Sequence, residues 1–168
     1  RHALDGDLSA EALQAKADDL RTIFSRPWTH LYADGPAKAE DIIDARSVGH
    51  RGQPIGTVLR VVRDVDGVRW MAFDTTRAIE RHDGLQVDLP GRPVGFAVDR
   101  LRDARTKRQA ITLPAGARVE VALPREVGEL PRGATVCHSA SQAVRRAFPV
   151  PHPRETELRQ LRPADLTL

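Results

Sequence analysis

The spacing of apolar residues changes period along this chain. Leu13, Ala17, Leu20 and Phe24 recur at helical spacing and define one apolar face, which predicts an amphipathic helix over Ala10–Phe24. Ser9 stands at the N-cap position. Leu8 and Leu13 occupy the two sites of a hydrophobic staple. Pro27 ends the pattern, because proline lacks the N–H that a helix interior needs. A helix with one apolar face is expected to dock on something larger. Residues 25–49 show no clear period; Trp28 and Tyr32 fall here, with a turn signal in Ala33–Pro36. This stretch reads as an irregular connector with one helical turn around Ala39–Asp44.

From His50 onward the period becomes two. Ile55–Arg63 is a β-branched run, and Asp66-Gly67 is a hairpin turn signal leading into a second run. Val68, Trp70 and Ala72 alternate with Arg69, Met71 and Phe73, so that strand should be buried in part on both faces. Leu85, Val87 and Leu89 alternate with polar residues, as do Val94, Phe96 and Val98 after the turn Pro90–Pro93. Arg100–Gln109 reads as a charged connection. Ile111–Leu113, a turn at Pro114–Gly116, Arg118–Leu123 and Ala134–His138 complete the β region. About six or seven short strands, with turns every eight to twelve residues, predict a small closed barrel or a sandwich. Ser139 and Gln142 form a capping-box pattern before a closing helix that runs to Phe148, with Val144 and Phe148 on its apolar edge. The proline-rich stretch from Pro149 breaks that helix, and Glu155–Leu161 could form one more short one. The expected organisation is a helical lead-in and connector over 1–46, a β domain over 47–140, and a closing helix with a proline-rich tail over 141–168.

Composition narrows the chemistry. Hydrophobic residues make up 40% of the 168 positions and aromatic residues only 4%, so the core must be built from Val, Leu, Ile and Ala. No apolar run approaches the ~20 residues of a membrane span, and the start carries no signal-peptide pattern. The first residue is Arg1 rather than Met, which suggests a piece of a longer protein. Cys137 is the sole cysteine; it cannot form an internal disulfide or hold a zinc ion or iron–sulfur cluster alone. A reducing, cytoplasmic setting is expected.

Of the 26 basic residues only Lys16, Lys38 and Lys107 are lysine, and the net charge is +3. Arginine suits bidentate phosphate contacts and base stacking. The same bias also follows from a GC-rich genome that replaces Lys by Arg throughout, and the abundant Ala, Pro and Gly fit that reading. Three basic clusters stand out. Arg51, with His50, opens the first hairpin, and Arg60 and Arg63 lie along it. Arg100, Arg102, Arg105, Lys107 and Arg108 crowd the charged connection against Asp103 alone. Arg145 and Arg146 lie on the closing helix. Each cluster could be a solvated face that blocks edge pairing or a contact surface for RNA or another partner. No GxGxxG, P-loop, HExxH, GxSxG or CxxC pattern occurs. The six histidines are scattered, His82-Asp83 reads as turn polarity, and Cys137 reads as a small core residue.

The order of several short motifs resembles the segment that follows the catalytic domain in the collagenase-like peptidase family U-32. The matching residues are Phe24, Arg26, Leu31 and Gly35; then Arg51, Gly52, Ile55, Gly56 and Val58; then Asp83, Gly84 and Leu85. Gly116, Val119, Val121, Gly133, Val136, Ser139 and Ser141 follow in the same order. The resemblance spans about Leu20 to Phe148. His82 stands where the family often has Gly, and Cys137 where it often has Tyr. The resemblance implies a mainly β fold: a small closed barrel similar to the second domain of translation elongation factors, with an N-terminal and a C-terminal helix. It implies that the catalytic domain is a separate upstream module, in several members carrying an iron–sulfur cluster, and that this fragment holds no cofactor or catalytic residue of its own. The implied partners are that absent catalytic domain and ribosomal or transfer RNA, with no membrane. The branch linked to ribosomal RNA cytidine hydroxylation, which depends on prephenate, looks closest. A substrate-binding barrel of a peptidase and a purely structural interdomain module are the alternatives.

Overall fold

The computed structural model describes residue 6, residues 8–22 and residues 52–149. Ser9 caps α1 (Ala10–Arg21), its hydroxyl accepting from the Ala12 N–H at 3.2 Å. Phe24, Arg51, the connector with its expected short turn, and the tail from 150 lie outside the described residues. The expected apolar face of α1 is not its docking face. Leu13 and Leu20 are about half exposed, and no residue of α1 is buried. The helix reaches the β region through polar groups instead. Asp19 pairs with Arg77, and the Lys16 ammonium lies 6.0 Å from the Phe148 ring centroid.

The β region follows the predicted alternation. The chain forms β1 (Gln53–Thr57), β2 (Arg60–Arg63), β3 (Arg69–Asp74), β4 (Ile79–Glu80), β5 (Gly84–Val87) and β6 (Val94–Ala97). It continues through β7 (Leu101–Asp103), β8 (Gln109–Ala110), β9 (Thr112–Leu113), β10 (Arg118–Ala122) and β11 (Thr135–Ala140). All pairs are antiparallel. One sheet has the order β1-β11-β5-β6, a second has β2-β3-β10-β7-β8, and β4 pairs with β9. Asp66-Gly67 makes the β2–β3 turn as predicted; Gly67 takes φ 76°, and Asp64 and Val68 close the hairpin with a 2.8 Å bond.

No single ladder closes on itself among the described residues: in place of the expected closed barrel there are two larger open sheets and the β4–β9 pair. The division has a local cause. At Val58 the chain still bonds to the β11 side, through the Ala134 carbonyl at 2.9 Å; the next residue, Leu59, already bonds to Ala72 of β3, also at 2.9 Å. At the opposite corner the Val98 N–H donates to Asp83 beside β5 at 2.8 Å, while the Arg100 carbonyl accepts from Ala122 of β10 at 3.0 Å. Two bent runs, β1–β2 and β6–β7, therefore serve both sheets, as strands do at the corners of orthogonal packings. Counted as bent runs, and setting aside the two-residue strands β4, β8 and β9, the frame has six long runs, within the expected six or seven. Gly56 permits the first corner, because a Cβ there would strike the Asp74 carbonyl.

The core lies between the sheets. In the second sheet Val121 faces Met71 and Leu101 across the ladders, and Val119 faces Phe73. These side chains are almost wholly buried, together with Ile55, Leu85, Val87 and Val136. Each such burial contributes roughly 1.5–3 kcal/mol. By the two-residue period, Trp70, Ala72, Glu120, Ala122 and Arg102 occupy the other face of that sheet. That face is buried too: Trp70 is 3% exposed and Glu120 0%. The prediction of a strand covered on both sides holds, and the cover on the outer side is made of arginine and lysine.

Two local expectations change. Arg100–Gln109 is not merely a connection: it contains β7, a strand inside the five-stranded sheet, then a turn and β8. The closing helix α2 spans Gln142–Ala147, and its cap is Ser141, whose hydroxyl accepts from Val144 at 3.4 Å; Ser139 belongs to β11. No helix among the described residues is long and apolar enough to cross a membrane.

Candidate binding groove

The ten basic residues singled out from the sequence have separate fates. Arg102 is not a surface group. Its Nε donates to Glu120 Oε2 at 2.7 Å, its Nη1 to Asp64 Oδ2 at 2.6 Å, and its guanidinium carbon lies 3.8 Å from the Trp70 ring centroid. Lys107 reaches the other oxygen of Glu120 at 2.5 Å, and Arg60 lies 3.9 Å from it. Lys107 takes φ 59°, a left-handed backbone that non-glycine residues seldom adopt. A carboxylate with no solvent exposure is thus compensated by cations from β7, the following turn and β2. Burial works against the Arg102 charge, but Asp64 and Glu120 outweigh it and hold the guanidinium more firmly protonated. Arg102 in turn holds the Asp64 carboxyl below its usual range, with help from the Val65 N–H.

Arg146 is also engaged. It clamps Glu80 through two bonds of 2.6 and 2.7 Å and lowers the Glu80 pKa. Arg145, Arg105 and Arg108 are exposed and carry no ion pair among the described residues. Arg60 and Arg105 line a surface groove of about 550 Å³ with Asp74 and Arg118, but Arg118 is paired there with Asp74 at 2.6 Å.

Arg63 and Arg100, distant in sequence, line the same groove. It measures about 650 Å³, Arg69 and Arg125 line it too, and Asp66 is its only acidic lining residue. The β2–β3 turn forms one wall and Leu123–Arg125 the other. Arg69 fastens the two walls. Its Nη1 donates to the Gly128 carbonyl at 3.1 Å, and its Nη2 donates to Pro124 at 3.2 Å and to Val127. Arg100 lies 5.4 Å from the Trp70 ring centroid. Arg63 and Arg125 are exposed and have no ion pair among the described residues. Arg69 and Arg125 escaped sequence reasoning, because nothing local marks residues so far apart as neighbours.

His82-Asp83 is more than turn polarity. Asp83 is 1% exposed, and its carboxylate accepts from the N–H of Glu80 at 2.8 Å and of Gln142 at 2.7 Å, so it caps α2 from a distant turn. The Gln142 side chain donates to the His82 carbonyl at 2.7 Å. His138, wholly buried, brings Nε2 within 3.1 Å of the same carboxylate, poorly aligned for a hydrogen bond, while its Nδ1 has no partner among the described residues. His82 holds φ 71°, a left-handed backbone that glycine adopts most easily. Cys137 is buried, as expected for a core residue. Among the described residues no three His, Cys, Asp or Glu side chains converge as a metal site would require.

No family model matches the chain. No curated protein matches it either. Among solved structures it is similar to the C-terminal domain of a Geobacillus thermoleovorans protein assigned to the U32 peptidases. The identity is 12% and the TM-score 0.40, over 51% of this chain and 91% of that one.

Proposed function

We propose that the chain is a non-catalytic accessory β-domain of a U-32 family protein, and that it positions RNA for a catalytic domain elsewhere in the parent. The observation that carries this reading is the unequal use of arginine. One set is consumed inside the fold around Glu120, whereas Arg63, Arg105, Arg108, Arg125 and Arg145 face solvent without an ion pair among the described residues. Arginine in that state suits phosphate recognition. The motif order supports the family assignment, and its glycines fall where the fold needs them: Gly52 takes φ 73° with its α-carbon against β11. The two shared corner strands support a barrel of the elongation-factor type. The parent's chemistry in this reading is prephenate-dependent RNA hydroxylation, with any iron–sulfur cluster in the catalytic domain and the whole in the cytoplasm.

The test is fluorescence anisotropy of the purified chain with transfer and ribosomal RNA across a salt series. Binding at low salt that falls steeply as salt rises is the expected result, because each neutralised phosphate releases counterions. Absence of RNA binding at low salt would sink the RNA reading. Binding of collagen-like peptide with little salt dependence would replace it by a peptide-holding role.

A further inference from the structure

We propose that the groove between the β2–β3 turn and Leu123–Arg125 is a dedicated phosphate-binding site, with Arg63 and Arg125 as its contact residues and Arg69 and Arg100 as its fixed positive wall. The inference deepens the RNA reading and rests on it for the biological source of the phosphate, but the site itself stands on geometry.

Four arginines line one groove whose single acidic lining residue is Asp66. Gathering like charges costs energy unless an anion offsets them, and elsewhere on the same sheet the protein offsets such charges internally. Glu120 lies beneath Arg102 and Lys107, and Asp74 faces Arg118. Among the residues that line the groove no acid is buried: Asp66 is exposed.

Its construction is also rigid where it should be. The hydrogen bonds of Arg69 to the Pro124, Val127 and Gly128 carbonyls fix the wall that presents Arg125. Arg100 is stationed near Trp70. Arg63 sits at the last pair of the hairpin, opposite Arg69. The two unpaired forks therefore project from fastened backbone, so binding has to order their side chains but not the chain that carries them. A phosphate group offers several strong acceptors to such forks. With no aromatic side chain lining the groove, contacts to the phosphate backbone rather than to bases are expected.

The test uses the whole chain and two probes: a short fluorescein-labelled oligouridylate, and inorganic polyphosphate as competitor. Two double variants are compared, Arg63→Ala with Arg125→Ala, and, as a control pair outside the proposed contact surface, the exposed Arg92→Ala with Arg132→Ala. The groove pair is expected to weaken oligouridylate binding by about tenfold or more and to reduce the salt slope by about one per lost phosphate contact. Polyphosphate should compete with the unaltered chain. If the groove pair binds as well as the unaltered chain while the control pair fails, the groove site is wrong and the RNA reading survives elsewhere on the surface. Binding of polyphosphate, lost in the groove pair, with no binding of any RNA would uphold the site and sink its RNA source. Failure of both probes overturns both. Unchanged circular dichroism and urea midpoints in the variants exclude misfolding, since both groove side chains are exposed.

Discussion

Two basic clusters lie at the same five-stranded sheet and differ in how far acids offset them. Around Glu120 three cations face two carboxylates: Arg102, Lys107 and Arg60 surround one buried carboxylate, with Asp64 on the far side of Arg102. In the groove at the hairpin end, Arg63, Arg69, Arg100 and Arg125 share the lining with one acidic residue, Asp66. The first cluster is a structural lid over Trp70. The second is a surface charge held in place by backbone carbonyls. Density of basic residues along the chain therefore does not locate a binding site; what distinguishes the two is whether an acid lies underneath.

The largest expected effect comes from breaking the cluster around Glu120. Glu120→Ala leaves Arg102 without its main buried partner and should destabilise the fold by about 3–5 kcal/mol, toward the lower end because Lys107 is half exposed; urea denaturation measures it. Asp83→Ala should cost about 2–4 kcal/mol, because it removes the acceptor of two backbone N–H groups and the buried neighbour of His138. Its loss should also fray α2, visible as faster amide exchange at Gln142.

Acid should act on the first cluster and not on the groove arginines. Arg102 holds the Asp64 pKa below its unfolded value. Its contribution is therefore complete above the unfolded carboxylate range and is lost as pH falls through the folded value. The urea midpoint should drop on acidification, and Asp64→Asn should flatten that drop. An unchanged profile in the variant would separate Asp64 from the network. At the small end, Arg63→Ala should change stability by less than about 0.5 kcal/mol, because the side chain is exposed and unpaired. A larger loss would mean the groove is structural after all.

Much of the frame was legible because alternation and turn chemistry are local. The Asp66-Gly67 hairpin, the doubly covered β3, the Leu85–Val87 strand and the Ser9 cap all follow from residues within a few positions of one another. The misreadings share a cause. The corners at Val58–Leu59 and Val98–Arg100 are made by partners on two different sheets, so no turn residue marks them. β7 looked like a loop because Arg102, a charged residue, is buried by partners at Glu120 and Asp64. The true cap of α2 is Ser141 because β11 runs past Ser139 before the helix begins. The α1 stripe predicted docking that the described residues do not make. The groove was half visible: Arg63 and Arg100 stood out, whereas Arg69 and Arg125 become neighbours only when the hairpin meets the turn before β11.

The position of β11 has a consequence for synthesis. The last strand among the described residues lies in the interior of its sheet, between β1 and β5. While the chain is being made, the two neighbours of that slot wait with unpaired edges, and the first sheet cannot close until residue 140 has left the ribosome. Domains complete as units, so the first sheet waits for β11 before its strands can all pair. A nascent chain stopped before Thr135 presents two open strand edges, the template on which other chains pair.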